Sequence, residues 1–248
     1  LNLACSGRIN GGFQSGHVYY LVGDSSSGKS FLSLTCFAEA AINSTFKKHR
    51  LIYDPAEQGA LMDFRKFFGK PMAERVEVDT VSDTAESFYY HLDDVVNKSD
   101  PFLYVIDSMD ALSSGVEQAK FKETKSAHRN GKETTGSYGD GKAKVNSANL
   151  RRFINPIKDS GSILILISQT RDNIGFGAQF NPKTRSGGRA LTFYCSLEIW
   201  SSVLRPIRRS VNGIQRKIGV VCRCQVKKNR CTGRDVTVDL PIYWSYGF

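Results

Sequence analysis

Eight consecutive residues, Gly23-Asp24-Ser25-Ser26-Ser27-Gly28-Lys29-Ser30, constrain this chain more than any other feature. They match G-x-x-x-x-G-K-[ST], a spacing in which glycines let the backbone curl so that its N–H groups surround a phosphate. The positive end of the following helix adds to that attraction. In such a loop Lys29 reaches the β- and γ-phosphates of a nucleotide and Ser30 holds Mg²⁺. The context agrees: the motif follows the apolar run His17–Val22 and opens a Leu-, Phe- and Ala-rich stretch, Lys29–Ala41. A strand, a phosphate-wrapping turn and a helix require an α/β fold.

The rest of the first two thirds repeats that alternation. Arg50–Tyr53, Arg75–Val81, Phe102–Ile106 (FLYVI) and Ile163–Ile167 (ILILI) predict further strands. Gln58–Phe68, Thr84–Asn97 and Ser147–Lys158 predict helices between them. Continuous apolar strands separated by helices imply a mainly parallel sheet covered on both faces. From Leu197 the pattern changes: Leu197–Ile207, Lys217–Val226 and Asp235–Ile242 follow one another without a helix, and Asn212-Gly213 marks a hairpin. This predicts an antiparallel C-terminal extension of the same sheet, and one domain over residues 1–248.

Two segments fit neither pattern. Residues 113–144 are rich in Lys and Gly and poor in large apolar residues; residues 171–188 mix Gly, Asn, Pro and cations around Phe176 and Phe180. Both are expected to be long loops leaving the carboxyl edge of a buried strand, where open α/β sheets bind ligands. Charge points the same way. Residues 1–112 hold 10 Lys and Arg against 15 Asp and Glu, whereas residues 113–248 hold 24 against 9. Basicity confined to one half suggests a surface for a polyanion, with a merely solvated basic face as the alternative.

No run approaches the roughly 18 apolar residues of a membrane span, and no basic-then-apolar leader is seen, so a cytoplasmic protein is expected. Leu1 in place of Met predicts a trimmed start. Six cysteines without C-x-x-C spacing predict reduced, mostly buried thiols rather than a disulfide or zinc framework.

Three strand ends supply the remaining candidates. Asp107, closing Phe102–Ile106, is expected on a strand adjacent to the phosphate loop as the Mg²⁺ partner, with Asp110 three residues further on. Glu57, just past the second strand, can orient or deprotonate a water, and Asp54 competes for that role. Gln169, ending the ILILIS run, can sense a γ-phosphate or be an ordinary strand-end amide.

With these residues on the page the chain resembles the RecA-family recombinases. Leu1–Leu32 is similar to the family's opening into its ATPase core, Glu57 to its catalytic glutamate, and Val105-Ile106-Asp107-Ser108 to its Mg²⁺-binding strand end. Ser168-Gln169-Thr170-Arg171 resembles its switch segment. Asn181-Pro182 and Ser186–Tyr194 resemble the close of its second DNA-binding loop and the helix that follows. Val226-Lys227-Lys228-Asn229-Arg230 resembles the late strand whose cations, here Lys228 and Arg230, reach the ATP of a neighbouring subunit.

The resemblance implies a RecA-like P-loop NTPase core that binds ATP and Mg²⁺. It further implies a DNA-dependent ATPase that coats single-stranded DNA as a filament and pairs it with homologous duplex in recombination and repair. Residues 113–144 become the first DNA loop, with Lys120, Lys122, Lys125, Arg129, Lys132 and Lys142 as phosphate contacts. Residues 171–188 become the second, with Arg171, Lys183 and Arg185 as phosphate contacts and Phe176 and Phe180 stacking on bases. Homo-oligomerisation as a filament, with a ring as the alternative, and a single-strand-binding protein complete the implied partners. The first loop is longer and more basic than the family norm, and the N-terminal polymerisation arm is absent or trimmed, a compactness typical of virus-encoded members or excised cores. A ring helicase motor and a non-catalytic ATP-binding mediator are the competing functions.

Overall fold

A computed structural model describes residues 1–57, 62–78, 81–98, 100–130, 141–173, 179, 182–185 and 188–245. Its centre is the phosphate-loop unit: β1 (His17–Gly23), the loop, then α2 (Lys29–Ile42), with a short α1 (Asn2–Ser6) before them. The chain continues through β2 (Arg50–Asp54), α3 (Phe64–Phe68), α4 (Lys70–Ala73), β3 (Val76–Glu77), α5 (Ala85–Asn97) and β4 (Phe102–Ile106). Next come α6 (Gly115–Arg129), α7 (Gly141–Ser160), β5 (Ile163–Asp172), β6 (Lys183–Arg185) and α8 (Arg189–Tyr194). β7 (Leu197–Val211), β8 (Ile214–Asn229) and β9 (Val236–Tyr243) end it.

The strands lie in the order β3-β2-β4-β5-β1-β7-β8-β9, with β6 pairing β5 off this path. Pairings from β3 to β7 along that order are parallel, and β8 and β9 add antiparallel. The strand alternation sorts side chains into two cores. Tyr20, Tyr104 and Leu166 face Phe88 and Leu92 of α5 and Phe153 of α7. Tyr19, Leu21, Val105 and Ile165 face Leu34 and Phe37 of α2 and Met72 of α4. Burying a side chain such as Leu34 or Phe37 contributes roughly 1.5–3 kcal/mol, so both layers are fixed by the strands between them.

Several expectations are corrected. β3 is two residues long, and the helix expected over Gln58–Phe68 is seen only at Phe64–Phe68, residues 58–61 lying outside the described ones. The segment 113–144 is not a loop throughout, because Gly115–Arg129 is helical. A capping box starts α6: the Ser114 hydroxyl accepts from the Glu117 N–H at 3.2 Å, and the Glu117 carboxylate accepts from the Ser114 N–H at 2.9 Å. Two such bonds satisfy amides that a polar helix with no buried residue could not otherwise offset. The segment 171–188 likewise holds paired strand at 171–172 and 183–185, since Arg171 faces Thr184 and Asp172 faces Lys183. α7 starts six residues earlier than expected, and β7 and β8 run on to meet at the Asn212-Gly213 turn, both residues with positive φ. All six cysteines are free thiols. Among the described residues no helix is long and apolar enough to cross a membrane.

Candidate nucleotide site and its basic rim

Because β1, β2, β4 and β5 are parallel, their carboxyl ends share one edge of the sheet, and Gly23, Asp54, Asp107 and Gln169 gather there. Two glycines shape the phosphate loop. A Cβ on Gly23 would collide with the Ser201 carbonyl, and one on Gly28 with the Ile242 side chain. Gly28 also takes φ 84° as the N-cap of α2, with no side-chain cap over the helix's first amides. Those amides and the buried, unpartnered Ser27 hydroxyl leave donors for an anion.

Lys29 is buried, and its ammonium donates to the Gly23 carbonyl at 3.0 Å and the Asp24 carbonyl at 2.7 Å. Burial lowers its pKa below the ordinary lysine value, against the pull of Asp107, Glu57, Asp24 and Asp110. Ser30 follows Lys29 in the first turn of α2.

The sequence reading is corrected on adjacency. β4, which positions Asp107, is not next to β1; β5 lies between them. At roughly 4.8 Å per strand, Asp107 sits about 10 Å along the edge from β1. Asp107 is buried and accepts from the Tyr53 hydroxyl at 3.1 Å. Burial, then the Asp107 charge, raise the Tyr53 pKa, so Tyr53 keeps its proton for that bond. Asp110 is used otherwise, accepting from the Gln169 N–H at 2.6 Å and lying 3.7 Å from the Arg171 guanidinium.

Asp54 and Glu57 are separated by environment. Asp54 is fully buried and accepts from the Ser82 N–H at 2.9 Å, the Ser82 hydroxyl at 2.6 Å and the Tyr104 hydroxyl at 2.9 Å. These donors occupy its carboxylate. Glu57 is exposed, its N–H donates to the Asp107 carbonyl at 3.0 Å, and its carboxylate accepts from the Gln169 amide at 2.7 Å. The Ser108 hydroxyl approaches it at 3.5 Å. Gln169 does not end its strand as expected, because β5 continues to Asp172 through pairing with β6. The residue that touches Glu57 is thus three positions from the end of a strand entering the basic segment.

The cations expected on that rim divide into groups. Lys122, Lys125 and Arg129 are exposed on α6, and Lys120 is half-buried there. Lys142 turns inward and donates to the Leu112 carbonyl at 2.6 Å. Lys183 pairs with Asp24 and Arg185 with Glu198. Lys132, Phe176 and Phe180 lie outside the described residues. Lys228 and Arg230 stand toward the other end of the sheet, opposite β7's start. Lys228 bonds the Thr192 and Phe193 carbonyls, and Arg230 the Phe193 carbonyl at 2.8 Å, capping α8. In this chain alone they do not meet the phosphate loop.

Sequence reasoning missed Tyr53, which holds Asp107, and, for the expected phosphate-loop residue Asp24, that its side chain leaves the loop for β5 and β6. The Ser114–Glu117 spacing was a legible signal for α6; nothing in the sequence marked the other two.

Comparison with known proteins identifies a family. The profile of the RecA N-terminal domain matches residues 2–248. The chain is 28% identical to the RecA protein of Cytophaga hutchinsonii over 96% of its own length and 61% of that protein's. It is also 28% identical to RecA of Chlorobaculum tepidum, covering 96% of the chain and 62% of the relative. For RecA of Porphyromonas gingivalis the figures are 28%, 89% and 58%. The chain thus spans about three fifths of these relatives. With a phosphate loop, a shared strand edge and a match over nearly every residue, this chain belongs to the RecA N-terminal domain family.

Proposed function

We propose that this chain is the ATPase core, a single domain over residues 1–248, of a cytoplasmic recombinase that coats single-stranded DNA and pairs it with homologous duplex. Residues 23–30 wrap the triphosphate, with Lys29 on its outer phosphates. Ser30 and Asp107 are the oxygen donors that suit Mg²⁺, a hard cation that keeps phosphate and water oxygens as its other ligands. When bound, the metal neutralises charge developing on the phosphates. Glu57 orients and deprotonates the attacking water, and Asp54, occupied by its three donors, stays out of the reaction.

The observation that carries this reading is the 2.7 Å bond between Gln169 and Glu57. It joins the base to a strand whose next residues enter the basic hairpin, a physical route from DNA contact to hydrolysis. Lys120, Lys122, Lys125, Arg129 and Lys132 neutralise DNA phosphates, Lys142, Arg171 and Lys183 join them once released from their internal partners, Arg185 adds a phosphate contact while still paired with Glu198, and Phe176 and Phe180 stack on bases. Lys228 and Arg230 reach the nucleotide of the next subunit in a filament, and a single-strand-binding protein shares the substrate.

The test is ATP turnover with and without oligothymidylate. Single-stranded DNA is expected to stimulate the rate. Lys29→Ala should abolish it, and Glu57→Gln should lower it by about 10²–10⁴ while nucleotide still binds. A wild-type rate indifferent to single-stranded DNA across salt concentrations would overturn the proposal. Electron microscopy with a non-hydrolysable analogue separates a filament from a helicase ring.

A further inference from the structure

The phosphate-loop spacing demands nothing of its second position, yet Asp24 fills it. A carboxylate beside a site for a multiply charged anion opposes binding unless something neutralises it. Here two groups outside the loop engage it. The Thr170 hydroxyl on β5 donates to one carboxylate oxygen, and the Lys183 ammonium on β6 donates to both. Burial pushes the Asp24 carboxyl up, but Lys183 and Thr170 more than offset this, so it titrates below the usual aspartate range.

β6 places Lys183 and Arg185 on one face, two residues apart, and a carboxylate occupies each. The two pairs differ in what they permit. Glu198 is 3% exposed and also accepts from the Trp200 indole at 2.7 Å, so its hold on Arg185 is part of the core. The Lys183 and Asp24 side chains are 44% and 30% exposed. An ion pair that open contributes little and exchanges readily for another anion.

We propose that Asp24 is an autoinhibitory counter-ion, which holds Lys183 against the phosphate loop and withholds it from nucleic-acid phosphates. This rests on the single-strand-binding reading above. The contact makes Lys183 the exchangeable cation of β6: a phosphodiester that takes it must displace Asp24.

The experiment measures binding of labelled oligothymidylate to the nucleotide-free chain over a range of salt, for wild type, Asp24→Asn, Lys183→Gln and the double variant. Asp24→Ser serves as a second substitution at the same site. Either Asp24 variant is expected to bind about two- to fivefold more tightly. The salt dependence should steepen by about 0.7, the worth of one more single-strand phosphate contact. In the Lys183→Gln background both gains should vanish. Equal affinity and slope in wild type and Asp24 variants would overturn the inference alone. So would a gain that survives Lys183→Gln, since it would reflect only the lost charge. Absence of binding by every variant, wild type included, would instead sink the single-strand reading and this inference with it.

Discussion

The β5–β6 hairpin and the helix α6 read alike in sequence, as two basic segments leaving the same edge of the sheet, yet the fold treats their cations in opposite ways. On the hairpin Arg171, Lys183 and Arg185 each face a carboxylate, Asp110, Asp24 and Glu198. On α6, Lys122, Lys125 and Arg129 are exposed, and no residue of the helix is buried. The hairpin's charge is therefore structural until something displaces its partners, whereas α6 presents its charge directly. Net charge alone does not distinguish a cation that holds the fold from one that meets a ligand.

The sharpest way to break that contrast is Arg185→Ala. It leaves the buried Glu198 with its Trp200 indole bond but without the paired guanidinium, and stranding one member of a buried pair costs about 3 kcal/mol. Urea unfolding should show that loss. Arg185→Ala with Glu198→Gln should recover part of it, because the stranded charge is gone. A change within about 0.5 kcal/mol for the single variant, the level of an ordinary surface substitution, would place the hairpin in the same class as α6.

The complementary test neutralises α6. Changing Lys122, Lys125 and Arg129 to glutamine should leave unfolding within about 0.5 kcal/mol of wild type. If each meets one phosphate, the salt slope of single-strand binding should fall by about 2. An unchanged slope would mean that the exposed charge of α6 is only solvated.

How much of this was legible in the sequence depends on the range of the interactions. The phosphate loop and the FLYVI and ILILI strands follow from local pattern, since a strand buried on both faces must be apolar throughout. The edge that collects Gly23, Asp107 and Gln169 follows from strands being parallel. Strand order does not follow, because the insertion of β5 between β1 and β4 depends on long-range pairing that no local spacing records. α6 was hidden for a different reason. Helices are recognised by an apolar stripe, and this one buries nothing, so its capping box was its only local sign. Asp24 shows the limit most plainly: its partners lie 146 and 159 residues away.

The smallest effect sharpens the comparison inside the hairpin itself. Asp24 has a folded pKa below its unfolded value, the net of burial raising it and Lys183 and Thr170 lowering it. Its contribution to stability is therefore complete above the unfolded value, near 4, and disappears as pH falls through the folded one. The pair is partly exposed, so the loss should be no more than about 1 kcal/mol after allowing for solvent screening. Unfolding measured at pH 6 and pH 3 should therefore show a slightly smaller acid loss for Asp24→Asn than for wild type, and high salt should narrow the difference. Lys183→Gln should shrink it as well, since the carboxylate then keeps only Thr170 and Lys29 to depress it. If Asp24→Asn loses as much stability in acid as wild type does, the Asp24 contact stabilises nothing. Lys183 would then belong with the exposed Lys122, Lys125 and Arg129 of α6 rather than with Arg185.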